Sequence, residues 1–248
     1  MKSDPKKYKI VVPVYKSELD HNEKLVVDNL LKLYNISNLC IVGPISISYP
    51  IEFSTFEKVK FNDLYFNSIN GYNKLMLSRE FYERFSNYKY ILIHQLDAYL
   101  FKDELNYWCE QNFDYIGAPW FRDERKIVKL FRSKKIKERG IIFNKVGNGG
   151  LSLRKTKTFL DFISAHKNII NTNISHELYG IEDVFWSIIA PQYYNFKIPM
   201  IKKASRFSLD RKPKIGMELN NNELPYGCHG FEKKKTKDFW KKYIPKLI

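Results

Sequence analysis

The stretch Tyr90-Ile91-Leu92-Ile93-His94-Gln95-Leu96-Asp97-Ala98-Tyr99-Leu100-Phe101 decides how the chain folds. Its apolar and β-branched residues carry almost no charge, which predicts a strand buried on both faces, as the middle of a parallel sheet requires. The run is broken by a carboxylate. In open α/β sheets ligands sit beyond the carboxyl ends of the central strands, so Asp97 marks where a site would be built. An aspartate there can hold Mg²⁺ or Mn²⁺ against a diphosphate, because these cations favour oxygen ligands and need only one or two protein carboxylates beside the substrate's own oxygens. The alternative is an aspartate that caps the turn into the next helix.

Toward the N-terminus, Tyr8–Tyr15 reads as a first strand whose ladder ends at Pro13, which lacks a donor. Asp20-His21-Asn22 offers caps for a helix with Leu25, Val26, Leu30, Leu31 and Leu33 on its core face. Leu39–Pro44 is a second strand, which completes a β-α-β unit, and Glu57–Phe61 is a short third. Ser68–Asn73 reads as a loop around Gly71, and Tyr72–Phe85 as one helix. Its first turn carries Asn73 and Lys74, and backbone donors beside a cation suit an anion. Toward the C-terminus, Lys102–Glu110 is a short helix, Phe113–Trp120 a buried strand, Phe159–His166 a helix and Phe196–Pro199 a late strand. Leu224–Phe231 is a glycine-bracketed turn that presents His229. With no internal repeat or low-complexity linker, the expectation is an α/β fold with a mostly parallel central sheet flanked by helices, in a single domain spanning residues 1–248.

The chain has 248 residues, 44% of them hydrophobic, enough for a substantial core, and excludes disordered and fibrous classes. No apolar run approaches the ~20 residues of a membrane span, and the first residues lack the apolar core of a signal peptide, so a cytosolic protein is expected. Cys40, Cys109 and Cys228 have no paired spacing, which argues against a disulfide framework or a zinc cluster. The formal charge of +15 calls for anionic partners. Much of it falls in two places: nine Lys/Arg against three Asp/Glu in 122–139, and seven against two in 231–248. The segment 122–145 has no periodicity and is expected to be mobile. The basic, aromatic tail 231–248 suits either an anionic bilayer, as for a peripheral protein on the inner face of the cell membrane, or a helix packed on the domain.

Two further blocks draw notice. Val146-Gly147-Asn148-Gly149-Gly150-Leu151-Ser152-Leu153-Arg154 lets the backbone pass close to something before a short strand, though it is not a Gly-x-Gly-x-x-Gly phosphate loop. Glu182-Asp183 opens a helix, where acids complement the helix dipole. Taken in order, Pro13-Val14-Tyr15, Tyr72-Asn73-Lys74, Gln95-Leu96-Asp97, Asn148-Gly149-Gly150, Gly180-Ile181-Glu182-Asp183 and Cys228-His229-Gly230 resemble a glycosyltransferase of the GT-A fold. The resemblance runs from about Tyr8 to Phe239 and is strongest to a little-studied family of bacterial and fungal glycosyltransferases, with the inverting Golgi-type galactosyltransferases more distant. The Asn-Gly-Gly and Glu-Asp blocks carry most of its specificity.

The resemblance implies that Pro13 and Tyr15 line the base and ribose of a nucleotide-sugar donor, with Tyr72, Asn73 and Lys74 on the same donor. It implies Gln95 and Asp97 at the position of an Asp-x-Asp metal motif whose first acid is missing here. His229 matches a late metal ligand, so Mn²⁺ or Mg²⁺ would be held by Asp97 and His229 with diphosphate oxygens or water. Gly149 and Gly150 would lie under the sugar, Glu182 would orient hydroxyls, and Asp183 would be the general base of an inverting transfer. The cations of 122–139 or the metal would neutralise the leaving diphosphate. The implied activity moves a hexose, guessed as galactose or glucose from a UDP-sugar, to a surface polysaccharide or a lipid-linked glycan precursor. Two other readings stand beside it. One is a basic nucleic-acid-binding protein, which has charge and rings in its favour but no recognised nucleic-acid motif. The other is a sugar-phosphate nucleotidyltransferase, which would carry glycines where Val14-Tyr15-Lys16-Ser17 stands.

Overall fold

Ile10, Val11 and Val12 in strand β1 (Lys6–Pro13) point to alternate faces and all three are fully buried, so the sheet must be covered on both sides. The computed structural model, which describes residues 5–122 and 139–248, covers it with helices on each face. Its six-stranded sheet has the order β3-β2-β1-β4-β7-β6, with β2 at Leu39–Pro44, β3 at Glu57–Phe61, β4 at Tyr88–His94, β6 at Tyr115–Ile116 and β7 at Leu151–Lys155. β1 pairs in parallel with β2 and β4, and β2 with β3, while β7 runs against both β4 and β6. One strand of six is reversed, as a mostly parallel sheet allows.

Helix α1 (His21–Leu33) starts where the sequence places it. Asp20 accepts from the Glu23 N–H and Glu23 from the Asp20 N–H, both at 2.9 Å, a reciprocal cap that satisfies two end donors. Its Val26 and Leu30 pack with Ile10, Val12, Leu39 and Ile41 on one face of the sheet. Helices α2 (Ile69–Met76) and α3 (Arg79–Glu83) bring Leu75, Met76 and Phe81 against Val11, Val42 and Ile91 on the other. The single helix expected over Tyr72–Phe85 is therefore two. Ser68 caps the first by accepting from Gly71 N–H at 3.0 Å, and Ser78 caps the second by accepting from Phe81 N–H at 3.1 Å. Asn73 and Lys74 consequently lie inside α2 and not at a helix start, as the sequence reading had them.

The deciding stretch also divides. β4 ends at His94, the Ala98 N–H donates to the Gln95 carbonyl at 2.9 Å to close a turn, and Ala98–Leu100 continues as β5 in a second, three-stranded sheet. That sheet has the order β5-β9-β8, with β8 at Ser208–Leu209 and β9 at Gly227–His229. The turn expected at Leu224–Phe231 thus contains a central strand, because Gly227 to His229 find backbone partners on both sides. Phe113–Trp120 contributes only the two residues of β6. Phe196–Pro199 is not a strand: Lys197 instead exchanges its N–H and carbonyl with Asp114, at 2.8 Å each.

The aromatic C-terminal segment packs on the domain. Phe231, Trp240 and Ile244 are in the core on the α1 side, and Trp240 stacks on Phe101 at 5.4 Å between ring centroids. Of the tail's rings Phe231 and Trp240 are covered, Phe239 is half-buried and Tyr243 is exposed, while Lys234, Lys235, Lys241 and Lys242 face solvent. The three cysteines are free and buried, as packing residues should be. Among the described residues no helix is long and apolar enough to cross a membrane. Most of the basic segment expected to be mobile, 123–138, lies outside the described residues.

Candidate functional site

The carboxyl end of β4 is where three distant parts of the chain meet. The Gln95 N–H donates to the Gly150 carbonyl at 2.8 Å, which carries the β4–β7 ladder one step past His94–Leu151, and the Gly230 N–H donates to the Asp97 carbonyl at 2.8 Å. The turn between β4 and β5 is therefore held on one side by the glycine loop and on the other by the residue after β9. Antiparallel pairing sets Ala98 opposite His229, and β8 beside β9 delivers Asp210 to the same place.

Around His229 these elements build a charged cluster. Nε2 lies 2.9 Å from Asp97 Oδ1 and 3.2 Å from Gln95 Oε1, while Nδ1 lies 3.1 Å from the Asn148 amide nitrogen and 3.6 Å from Asp210 Oδ1. Lys233 Nζ sits 3.6 Å from Asp97 Oδ2 and 3.9 Å from Asp210 Oδ1. Burial opposes charge on His229, but Asp97 and Asp210 outweigh it and push the imidazole up to about 9. Burial likewise opposes charge on Asp97, and His229 with Lys233 brings its carboxyl down to about 2. His94, fully buried at the end of β4 with no hydrogen-bond partner on either nitrogen, is instead pushed down to about 4 by burial.

The glycines are needed by the protein itself. A β-carbon on Gly150 would strike the His229 ring and the Gln95 side chain, and one on Gly149 would strike the Glu182 carboxylate. Asn148 adopts φ 65°, the left-handed region that asparagine tolerates better than most residues. Gly149 donates its N–H to Asp183 Oδ2 at 3.3 Å, and Asp183 Oδ1 is buried without a partner. Burial raises the Asp183 pKa against the pull of that N–H, which makes it a stronger base when ionised.

Glu182, expected to orient substrate hydroxyls, turns the other way. It is 4% exposed, and its two oxygens lie 3.1 and 2.9 Å from Arg154, which is itself fully buried. Arg154 also donates to Ser152 Oγ at 3.1 Å and to the Tyr82 hydroxyl at 2.9 Å. Burial works against the charge on Arg154, but Glu182 and the neighbouring tyrosines hold it firmly protonated, while burial pushes Glu182 up to about 7. Asn73 serves this side too, accepting from the Glu182 N–H at 3.2 Å. Tyr72 lies with its hydroxyl buried near Glu182, Arg154 and Gln95.

A cleft of about 210 Å³ is lined by Pro13, Tyr15, Lys16, Glu23, Gln95, Leu96, Asp97 and Glu232. Tyr72, Asn73 and Lys74 do not line it, and Lys74 is exposed on α2. The structure thus gathers Pro13, Tyr15, Gln95, Asp97, Gly149, Gly150, Asp183 and His229 around one turn. Asp210, Lys233 and Arg154 are added by the fold. Only Arg154 had a legible signal, a charge directly after Leu151-Ser152-Leu153 in a buried strand.

A divalent cation fits this donor set in part. Asp97, the Gln95 side-chain amide oxygen and, once it has lost its proton, the His229 imidazole offer the oxygen and nitrogen ligands that Mn²⁺ and Mg²⁺ accept, and Asp210 Oδ1, 3.6 Å from Nδ1, adds a negative charge beside the ring. Among the described residues no three His, Cys, Asp or Glu side chains are arranged to hold an ion by themselves.

Comparison with solved structures places the fold. Mouse xyloside xylosyltransferase 1 superposes with a TM-score of 0.55 at 9% identity, over 93% of this chain and 99% of that one. A glycosyltransferase involved in the glycosylation of the major capsid of PBCV-1 gives 0.50 at 8% identity, over 93% and 96%. The galactosyltransferase LgtC, in complex with donor and acceptor sugar analogs, gives 0.50 at 13% identity, over 89% and 86%. At such identities the likeness is one of fold, and the fold is GT-A. No curated protein matches the sequence. The family described as "Protein of unknown function (DUF5672)" matches residues 55–229, which contain β3 through β9 and every site residue except Pro13, Tyr15 and Lys233, and the chain belongs to that family.

Proposed function

We propose that the protein is a nucleotide-sugar-dependent glycosyltransferase that moves a hexose from a UDP-sugar to a hydroxyl of a glycan. One observation carries this reading. Within Asn148–Gly150 the central Gly149 N–H holds Asp183 while Asn148 and Gly150 abut His229, so a candidate base and a candidate diphosphate site adjoin one short backbone segment. The glycosyltransferases that share the fold, LgtC with its donor and acceptor sugar analogs among them, support the class of reaction.

In this reading Pro13 and Tyr15 take the base and ribose. At about 210 Å³ their cleft is smaller than the roughly 300–1,000 Å³ of typical ligand sites, so the diphosphate extends beyond it across Asp97. Lys233 faces the charge that develops on the leaving diphosphate. A bound Mn²⁺ or Mg²⁺ held by Asp97 and His229 would add Lewis-acid stabilisation of the same oxygens. Asp183 removes the acceptor hydroxyl's proton as that oxygen attacks the anomeric carbon from the face opposite the nucleotide, which inverts the configuration. Galactose or glucose is the expected sugar. Glu182 and Arg154 hold the turn that carries Asp183 and do not touch the sugar.

The test is a thermal-shift series with UDP, GDP, CMP and an oligonucleotide, each with and without Mn²⁺, followed by a nucleotide-sugar hydrolysis screen. Stabilisation by UDP that grows with Mn²⁺, together with release of UDP from one UDP-sugar, is the expected result. A salt-sensitive shift with the oligonucleotide alone would replace the reading with nucleic-acid binding.

A further inference from the structure

The two nitrogens of His229 face different company. Nε2 lies 2.9 Å from Asp97 Oδ1 and 3.2 Å from Gln95 Oε1, and both of these oxygens are acceptors. Nδ1 lies 3.1 Å from the Asn148 amide nitrogen, a donor, and 3.6 Å from Asp210 Oδ1, an acceptor. The Asn148 amide is held in that sense, because its own Oδ1 accepts from the Leu151 N–H at 3.4 Å. Asp210 is 4% exposed, and its Oδ1 has no hydrogen-bond partner among the described residues. The cations near it are slightly farther off, with Arg211 Nε 3.7 Å from Oδ2 and Lys233 Nζ 3.9 Å from Oδ1.

Backbone pairing puts Asp210 there. β8 runs parallel to β9 with Ser208 beside Gly227 and Leu209 beside Cys228, so the register brings Asp210 next to His229. An imidazole that gives its Nε2 lone pair to a cation keeps its hydrogen on Nδ1, and that hydrogen needs an acceptor. Asn148 does not supply one while its amide nitrogen faces the ring. With Asn148 as the partner, Nδ1 accepts, the hydrogen stays on Nε2, and the ring turns a donor rather than a lone pair toward Asp97. Asp210 Oδ1 is an acceptor on the Nδ1 side. A shift of roughly 0.7 Å brings the pair to the length of a charge-assisted hydrogen bond.

Resting on the donor site of the reading above, we propose that Asp210 is a positioning residue that accepts the Nδ1 hydrogen of His229 and so frees Nε2 as a ligand for Mn²⁺ or Mg²⁺ beside Asp97. Asn148 favours the opposite arrangement, in which Nε2–H is donated to Asp97. The ring thus has two hydrogen-bonded states, and Asp210 selects the one that admits a cation. Carboxylates that hold the far nitrogen of a histidine ligand act in this way in metal sites generally, and their loss typically weakens the metal by about 10–100-fold.

The experiment reads the ring and the cation separately in the full chain. Long-range ¹H–¹⁵N spectra of protein labelled at histidine show which ring nitrogen carries hydrogen, and the His229 signals are those lost in His229→Gln. Mn²⁺ binding is titrated by electron paramagnetic resonance with and without UDP. In the chain saturated with Mg²⁺, the expected result is hydrogen on Nδ1 and none on Nε2. Asp210→Leu should leave Nδ1 bare, keep the hydrogen on Nε2 and weaken Mn²⁺ by about 10–100-fold. Asp210→Asn, which keeps an acceptor oxygen in place, should retain the Nδ1 hydrogen and most of the affinity. Hydrogen on Nε2 in the Mg²⁺-saturated chain, Mn²⁺ affinity unchanged in Asp210→Leu, or Asp210→Asn as damaging as Asp210→Leu would each overturn the proposal. Should Asp210→Leu not fold, the Mg²⁺ spectrum of the unaltered chain and the Asp210→Asn titration still decide it. The UDP thermal shift separates the two claims. If it is absent while ring and cation behave as described, the transferase reading fails and the role of Asp210 stands; if it is present and Mn²⁺ does not bind, the role of Asp210 fails and the transferase reading stands.

Discussion

The two sides of the Asn148–Gly150 loop are built from the same kinds of residue and behave in opposite ways. Beneath it, Arg154, Glu182, Tyr82 and Ser152 form a dry network in which the guanidinium is fully buried and committed to its partners. Beside it, Asp97 keeps 26% of its side-chain surface and Lys233 keeps 51%, and contacts of 3.6 to 3.9 Å leave room between them. A buried ion pair fixes a shape, because separating its members strands a charge where water cannot reach it. A half-open cluster can exchange its internal partners for a ligand's. Asp183 stands where the two meet, with one oxygen on Gly149 N–H and the other unpartnered.

The sharpest way to break this comparison is Asp183→Asn. It should lower turnover by about 10²–10⁴-fold, the usual contribution of a general base, while UDP affinity and melting temperature stay nearly constant. Turnover close to that of the unaltered chain would reject the assignment. Arg154→Met should do the reverse, costing about 3–5 kcal/mol of stability in urea denaturation because Glu182 is left buried and unpaired, with much of the loss recovered when Glu182→Leu is added. Should the single change be neutral, the network is not the rigid support described here. Gly150→Ala should cost about 1–3 kcal/mol, since the His229 ring and Gln95 must move to admit a methyl group.

Smaller effects test the open side. Asp97→Ala should weaken UDP binding in Mn²⁺ by roughly tenfold, about 1.4 kcal/mol, with little change in stability, and an unaltered affinity would remove Asp97 from the donor site. The smallest effect is in the pH profile. Asp183 must be ionised to act as a base and burial raises its pKa, so activity is lost as pH falls through a midpoint above the ordinary aspartate value of about 3.9. A midpoint at or below that value would show that another group sets the acid limb.

Much of the first half of the chain was readable because its signals are local. β2 and β3 begin and end where the sequence reading places them, and the Asp20 cap marks the start of α1. Tyr90–Phe101 was legible as buried but not as two strands in two sheets, because its division depends on Gly150 and Gly230 bonding to Gln95 and Asp97 from far along the chain. Gly149 and Gly150 were recognisable as positions of close approach, and the side chains that approach them, Glu182 and His229, were not. Asp210 and Lys233 gave no warning: one follows a strand of two residues, and the other lies among seven lysines in a tail whose charge looked uniform.

The amino-acid sequence by itself determined the layered α/β architecture, the principal strands, the first helix and the acids and histidine from which a site could be made. These follow from hydrophobic period, caps and glycines, which act within a few residues of one another. Only the tertiary structure decided that Glu182 pairs with Arg154 while Asp183 meets Gly149, and that Asp210 joins His229. Side-chain direction at a site depends on which buried charges find partners, and here Arg154, 28 residues away in the chain, pairs with Glu182 and not with Asp183.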